Sequence, residues 1–256
     1  MTTVNTSIVA SRLEKVAIDN GFDRELPRTS DWVSFVSTQC PLRIWLTASE
    51  RGTYYTALSQ AHVANALSEH RASTRVTLPL DATACLEVPD IPALHHLVRR
   101  AFQLSKTLPD EPLRVFERKT RSLPQTTEAE RLVTQRIGQD IFREALVDYW
   151  AGACAVTGIA LTPVLRASHM KPWSQCADDA ERLNVFNGIL LVANLDALFD
   201  RGLISFEDSG EISISPRVNA ACRDLLQLSS TLRLRLIAPQ HLPFLAWHRE
   251  YLFEGI

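Results

Sequence analysis

The sequence predicts an α+β chain in two parts: a mixed α/β domain with a small antiparallel sheet over residues 1–122, and a second domain over 123–256. Three observations predict it. Apolar runs of strand length alternate with helical stretches, with no internal repeat. The segment Ser122-Leu123-Pro124-Gln125-Thr126 has the proline and polar residues of a linker. A chain of 256 residues with 46% hydrophobic and 22% charged residues has ordinary globular composition and enough length to bury two cores without staples.

In the first domain, residues 13–18 suit a short helix, and 32–36, 42–46 and 54–58 read as strands, the last two joined through a turn at Arg51-Gly52. Ser59 is placed to cap a helix running to Leu67. Pro89, Pro92, Pro109 and Pro112 then punctuate the chain, and helices are expected at about 93–106 and 112–119, because proline suits a first helical turn and not an interior.

A net charge of −2 excludes a chain that holds nucleic acid by bulk positive charge, so charge has to be read by segment. Residues 99–121 are locally basic, carrying Arg99, Arg100, Lys106, Arg114, Arg118, Lys119 and Arg121 against Asp110, Glu111 and Glu117. A solvated helical face is the first reading of this run and phosphate contact the second. His95 and His96 beside it have no metal-type partner nearby and read as surface or packing residues. Cys40, Cys85, Cys154, Cys176 and Cys222 are scattered and form no C-x-x-C pair, so neither a disulfide framework nor a cysteine zinc ribbon is indicated and they read as buried free thiols. No apolar run reaches the ~20 residues of a membrane span, and the start MTTVNTS lacks a secretory pattern, so a cytoplasmic address with no membrane partner is expected.

The second domain opens on Thr127-x-x-Glu130, a capping box for a helix to about Tyr149, with Leu132, Ile137, Ile141, Phe142, Ala145, Leu146 and Tyr149 as its buried stripe. Residues 165–170 and 188–192 are strands joined by a polar loop over 171–187. Asn194 is placed to cap a short helix over 195–201, which Gly202 ends. Asp196 and Asp200 stand four apart on one face of that helix, where two carboxylates repel, and a divalent cation would remove the repulsion. A hairpin about Asp208-Ser209-Gly210 and a helix near 220–228 should brace the rest.

Four segments in order, Cys154-Ala155-Val156-Thr157-Gly158, Ala167-Ser168-His169-Met170-Lys171-Pro172-Trp173, Asn187-Gly188-Ile189-Leu190-Leu191 and Leu195-Asp196-Ala197-Leu198-Phe199-Asp200-Arg201-Gly202, resemble the HNH endonuclease family, in its bacterial restriction-type branch. The resemblance covers about residues 127–256. It implies a ββα-metal fold and DNA phosphodiester hydrolysis that leaves a 5′-phosphate and a 3′-hydroxyl, in restriction or phage defence. His169 matches the general base, and its imidazole suits proton transfer near neutral pH. Asn187 matches the asparagine that braces the loop, Asp196 a metal-ligand position, and Asp200 an additional one. Ser168 stands where many members carry a metal-ligating aspartate or histidine, and a weak neutral hydroxyl leaves the charge balance to Asp196 and Asp200.

Oxygen donors favour one divalent cation, Mg²⁺ or Mn²⁺, over zinc. Arg143, Arg166, Lys171 and Arg201 are the cations near the motif that could meet the DNA backbone. A single His169-centred site implies a homodimer, permanent or formed on DNA, for double-strand cleavage. Two rival readings keep the fold: an inactive nucleic-acid-binding module, which Ser168 favours, and an RNA-directed nuclease or toxin. Asp200 could instead pair with Arg201 or Arg182, while Trp173 and His248 read as packing residues.

Overall fold

Strand-length apolar runs and helices with one buried stripe build each half of the chain. The structure, a computed structural model, describes residues 7–29, 31–67, 71–73, 75–124 and 127–255. These residues divide into two compact units, Met1–Pro109 and Asp110–Ile256, so the helix over 111–120 belongs with the second unit. Gln125 and Thr126 of the expected linker lie outside the described residues.

The first unit contains α1 (Ser7–Asp19), β1 (Arg24–Thr29), β2 (Trp32–Val36), β3 (Arg43–Ala48), β4 (Tyr54–Leu58), α2 (Ala61–Ala66), β5 (Arg71–Ala72), β6 (Ala84–Val88) and α3 (Ile91–Ser105). The strands form one antiparallel sheet in the order β1-β2-β3-β4-β6-β5. It has three more strands than the sequence reading found, β1, β5 and β6; in the first two, Pro27 and the shortness of β5 obscure the alternation that marks a strand. Helix α3 packs on α1 and α2, and all three pack on this sheet. Trp45, Ala57 and Cys85 sit opposite one another across β3, β4 and β6, and with Trp32 and Tyr55 they form a buried cluster that Val76 and Ala82 cover.

Two local expectations are corrected here. Ser59 does not cap α2: its hydroxyl accepts from the Arg43 amide at 3.0 Å, and the helix starts after Gln60 with no side-chain cap. Cys222 is exposed, while the other four cysteines are buried and free as expected. In the basic stretch, Asp90 caps α3 through the Ala93 amide. Arg99 there donates from Nε to the side-chain Oδ1 of Asn20 at 3.2 Å.

The second unit contains α4 (Glu111–Thr120), α5 (Glu128–Tyr149), β7 (Leu165–His169), α6 (Asp179–Arg182), β8 (Gly188–Val192), α7 (Ala193–Asp200), β9 (Ile204–Phe206), β10 (Ile212–Ile214), α8 (Ala220–Leu225) and α9 (Leu242–Tyr251). Thr127 and Glu130 make both bonds of the capping box that opens α5. Leu132, expected in its core stripe, is exposed, because the buried face of this helix begins only at Gly138, where it reaches the strands and loop. Strands β7 and β8 form an antiparallel pair running from Leu165 opposite Val192 to His169 opposite Gly188.

Gly188 has a specific cause. A Cβ there would lie 2.6 Å from Phe142 Cζ and 2.7 Å from Leu146 Cδ1, so only glycine lets α5 settle this close to the strands. Strand β8 runs directly into α7: Val192 pairs with Leu165 and is also the residue before the helix. The helix therefore begins at Ala193, and Asn194 sits inside its first turn, exposed, rather than capping it. Strands β9 and β10 form the expected hairpin, and α9 packs on β9.

Among the described residues no helix is long and apolar enough to cross a membrane.

Candidate active site

His169 ends β7 with its ring held on three sides. One face stacks on Phe142 of α5 at 3.8 Å between centroids and 15° between planes. The Trp173 indole meets it edge to face at 5.7 Å. Nε2 lies 2.9 Å from the Arg182 carbonyl oxygen. A carbonyl can only accept, so Nε2 carries the proton and Nδ1 keeps its lone pair. Burial pushes the imidazole down to about 4, against the opposing effect of the Arg182 carbonyl, so the ring is neutral at neutral pH.

Asn187, fully buried immediately before β8, braces the loop that follows His169. Its Oδ1 accepts from the Lys171 amide at 2.9 Å, and its Nδ2 donates to the carbonyls of Lys171 at 3.1 Å and Glu181 at 3.3 Å. One amide side chain thereby ties the beginning of the loop to its far end, which uses both the acceptor and the donor that this residue type offers.

The loop is more structured than its polar composition suggested. Asp178 caps α6 by accepting from the Glu181 amide at 2.8 Å. Glu181 binds Lys171 Nζ at 2.8 Å and the Ala177 amide at 2.6 Å. Burial alone would raise this carboxyl, but those donors outweigh it and hold it below its ordinary value. Glu181, and the part Arg182 plays in this loop, escaped the sequence reading, although Asp178 three residues before Glu181 is a helix-start signal inside the loop. Arg182 pairs with Asp179 at 2.8 Å, and among the described residues no ion pair joins it to Asp200.

Ser168 and Asp196 meet directly. The buried Ser168 hydroxyl donates to Asp196 Oδ1, which joins β7 to the first turn of α7. Asp200 follows one turn later on the same face, and although the residue is exposed, partial burial of its carboxyl and the charge of Asp196 raise it to about 6. Among the described residues, no group of three or more His, Cys, Asp or Glu converges as a metal cluster would. The donors brought together are two carboxylates and a hydroxyl, a set of hard oxygens that fits a divalent cation completing its shell with water and phosphate.

The four candidate DNA-contacting cations divide evenly. Arg143 spends its guanidinium on the carbonyls of Leu165 at 2.8 Å and Thr162 at 3.3 Å, and Lys171 is paired with Glu181. Arg166 and Arg201 are exposed, Arg166 also touching the Pro163 carbonyl at 3.2 Å. His248 is buried, with Nε2 on the Phe199 carbonyl and Nδ1 on Ser205, and so belongs to packing as the sequence indicated.

No curated protein shows a significant match to this chain. Residues 154–207, in the C-terminal half, span the strand, loop, strand and helix around His169 and match the model of the HNH endonuclease family.

Proposed function

We propose that this protein is a metal-dependent endonuclease that hydrolyses DNA phosphodiester bonds, with His169 as its general base. The observation that carries the reading is the His169 imidazole, neutral, fixed at Nε2 by the Arg182 carbonyl and left with a lone pair at Nδ1. In this reading Nδ1 takes a proton from water as that water attacks phosphorus. The bond from phosphorus to the 3′ oxygen breaks, and the leaving oxygen takes its proton from solvent. Asn187 keeps the loop, and with it the base, in place.

Asp196, Asp200 and Ser168 would hold the divalent cation, Mg²⁺ or Mn²⁺, which when bound supplies Lewis acidity at the phosphate. Ser168 contributes chiefly by orienting Asp196 through its hydroxyl. Arg166 and Arg201 meet the DNA backbone, a salt-sensitive interaction without sequence preference. The N-terminal unit selects the target. Likeness to the restriction-type branch supports a role in restriction or phage defence, and one site per chain supports two chains acting together in double-strand cleavage.

The test is incubation of the purified protein with methylated and unmethylated plasmid DNA, and with RNA, in Mg²⁺, Mn²⁺ or EDTA. Cleavage of DNA that EDTA abolishes, with nicked circles appearing before linear product, is the expected result. Absence of cleavage under every metal condition overturns the reading, and preferential cleavage of RNA overturns its substrate.

A further inference from the structure

The Arg182 carbonyl that fixes His169 belongs to the last residue of α6, a helix of 4 residues. So short a helix does not hold itself, because one turn fixes more backbone than its hydrogen bonds repay. Beside the Asp178 cap and the bonds of Asn187 and Lys171 to Glu181, the Arg182 side chain ties it to the rest of the loop. Nε donates to the Trp173 carbonyl at 3.2 Å, Nη2 to the Cys176 carbonyl at 3.2 Å and Nη1 to Asp179 Oδ1 at 2.8 Å. The guanidinium carbon also lies 5.9 Å from the centre of the Trp173 ring. Trp173 is itself the residue whose indole edge meets the imidazole. Of the three surfaces around His169, two are therefore held by a single guanidinium, and the third, Phe142, comes from α5.

We propose that Arg182 is a positioning residue of this site: its carbonyl selects the Nε2–H tautomer of His169, and its guanidinium, forked onto Trp173, Cys176 and Asp179, holds the loop that delivers that carbonyl. The proposal deepens the nuclease reading and rests on it for its kinetic part. Lysine is no substitute, because a single ammonium on a flexible stem cannot reproduce a planar fork onto three acceptors. The competing arrangement is one in which Asn187 and the Lys171–Glu181 pair suffice to hold the loop.

The experiment records ring-nitrogen ¹⁵N spectra of the labelled full-length chain in EDTA at a pH where histidine is neutral, with the His169 signals identified by their loss in His169→Gln. In the parent protein Nδ1 and Nε2 of His169 should be widely separated, as a single tautomer requires. In Arg182→Ala they should draw together toward the averaged positions of a mixture, with Arg182→Lys between. Cleavage in Mn²⁺ should lose about 10²-fold in kcat with KM little changed, the scale expected when a reacting group is displaced by about an ångström. Added ethylguanidinium should restore part of the loss.

A folded Arg182→Ala protein that keeps the parent tautomer pattern overturns the proposal, as does a loss confined to KM. If Arg182→Ala fails to fold, Arg182→Lys decides, and parent-like spectra and kcat in that variant overturn it equally. A parent protein that cleaves nothing removes the nuclease reading, while the ring spectra still decide the tautomer.

Discussion

His248 lies flat on Phe199 with centroids 3.8 Å and planes 7° apart, and His169 lies on Phe142 at the same 3.8 Å with planes 15° apart. Each ring places Nε2 on a main-chain carbonyl, that of Phe199 for His248 and that of Arg182 for His169. Their second nitrogens differ. Ser205 bonds His248 Nδ1 at 3.0 Å, whereas among the described residues none bonds His169 Nδ1. Two histidines in nearly the same setting thus differ at one nitrogen, which the fold closes in His248 and leaves open in His169 among the described residues.

That difference predicts opposite mutants. His169→Ala should lower cleavage by about 10²–10⁴-fold, the usual contribution of a general base, with DNA binding retained. His248→Ala should instead lose about 2–4 kcal/mol of stability, because it empties a stacked site and strands the Ser205 hydroxyl. Plasmid cleavage rates and urea unfolding of the two variants check the pair.

Acid should destabilise the C-terminal unit. Burial holds His169, His241 and His248 down to about 4, whereas an unfolded histidine takes a proton near 6.5. Between those values the unfolded chain binds protons that the folded chain refuses. Stability from this source is complete above pH 6.5 and falls as pH drops, by up to ~1.4 kcal/mol per pH unit for each histidine. Thermal unfolding midpoints measured across this range check it, and replacing His248 with a neutral residue should flatten the slope.

Asp196→Ala should lose both cleavage and Mn²⁺ affinity, and Asp200→Ala should lose less of each, with added metal recovering part. Calorimetric titration reads the affinities. Unchanged Mn²⁺ binding by the Asp196 variant would take that residue out of the cation site.

Gly188→Ala should cost about 1–3 kcal/mol by overpacking, since its methyl would press on Phe142 and Leu146. Because Phe142 backs the His169 ring, the same substitution should reduce kcat more than KM. Denaturation and steady-state cleavage on one preparation test both effects.

Much of this architecture could be read from residue order alone. The alternation over 165–169, the apolar run over 188–192, the Thr127–Glu130 capping box and the turn at Gly210 are local signals, and local signals survive in a sequence. Asn194 misled because cap preference assumes a loop before the helix, whereas β8 passes into α7 without one. The short strand β5 and the proline-bearing β1 were missed because their pairing is decided by neighbours far along the chain. In the site, single residues with unusual neighbours were legible, but the bonds that orient them were not. The Arg182 carbonyl belongs to the backbone, and no side-chain pattern announces it. The Ser168–Asp196 bond likewise depends on how β7 lies against α7.

The last turn of α7 is built against the far end of the chain. Gly202, at φ +65°, ends that helix where a Cβ would stand 1.9 Å from the Leu252 carbonyl oxygen, and the Glu254 amide donates to the Gly202 carbonyl at 2.9 Å. His248 and Arg249 of α9 reach back to the carbonyls of Phe199 and Phe206. The stretch that matches the family, residues 154–207, is therefore not a transplantable cassette. Moved into another scaffold without α9, it would carry His169, Asn187 and both aspartates, yet lack the surface against which the aspartate-bearing helix terminates.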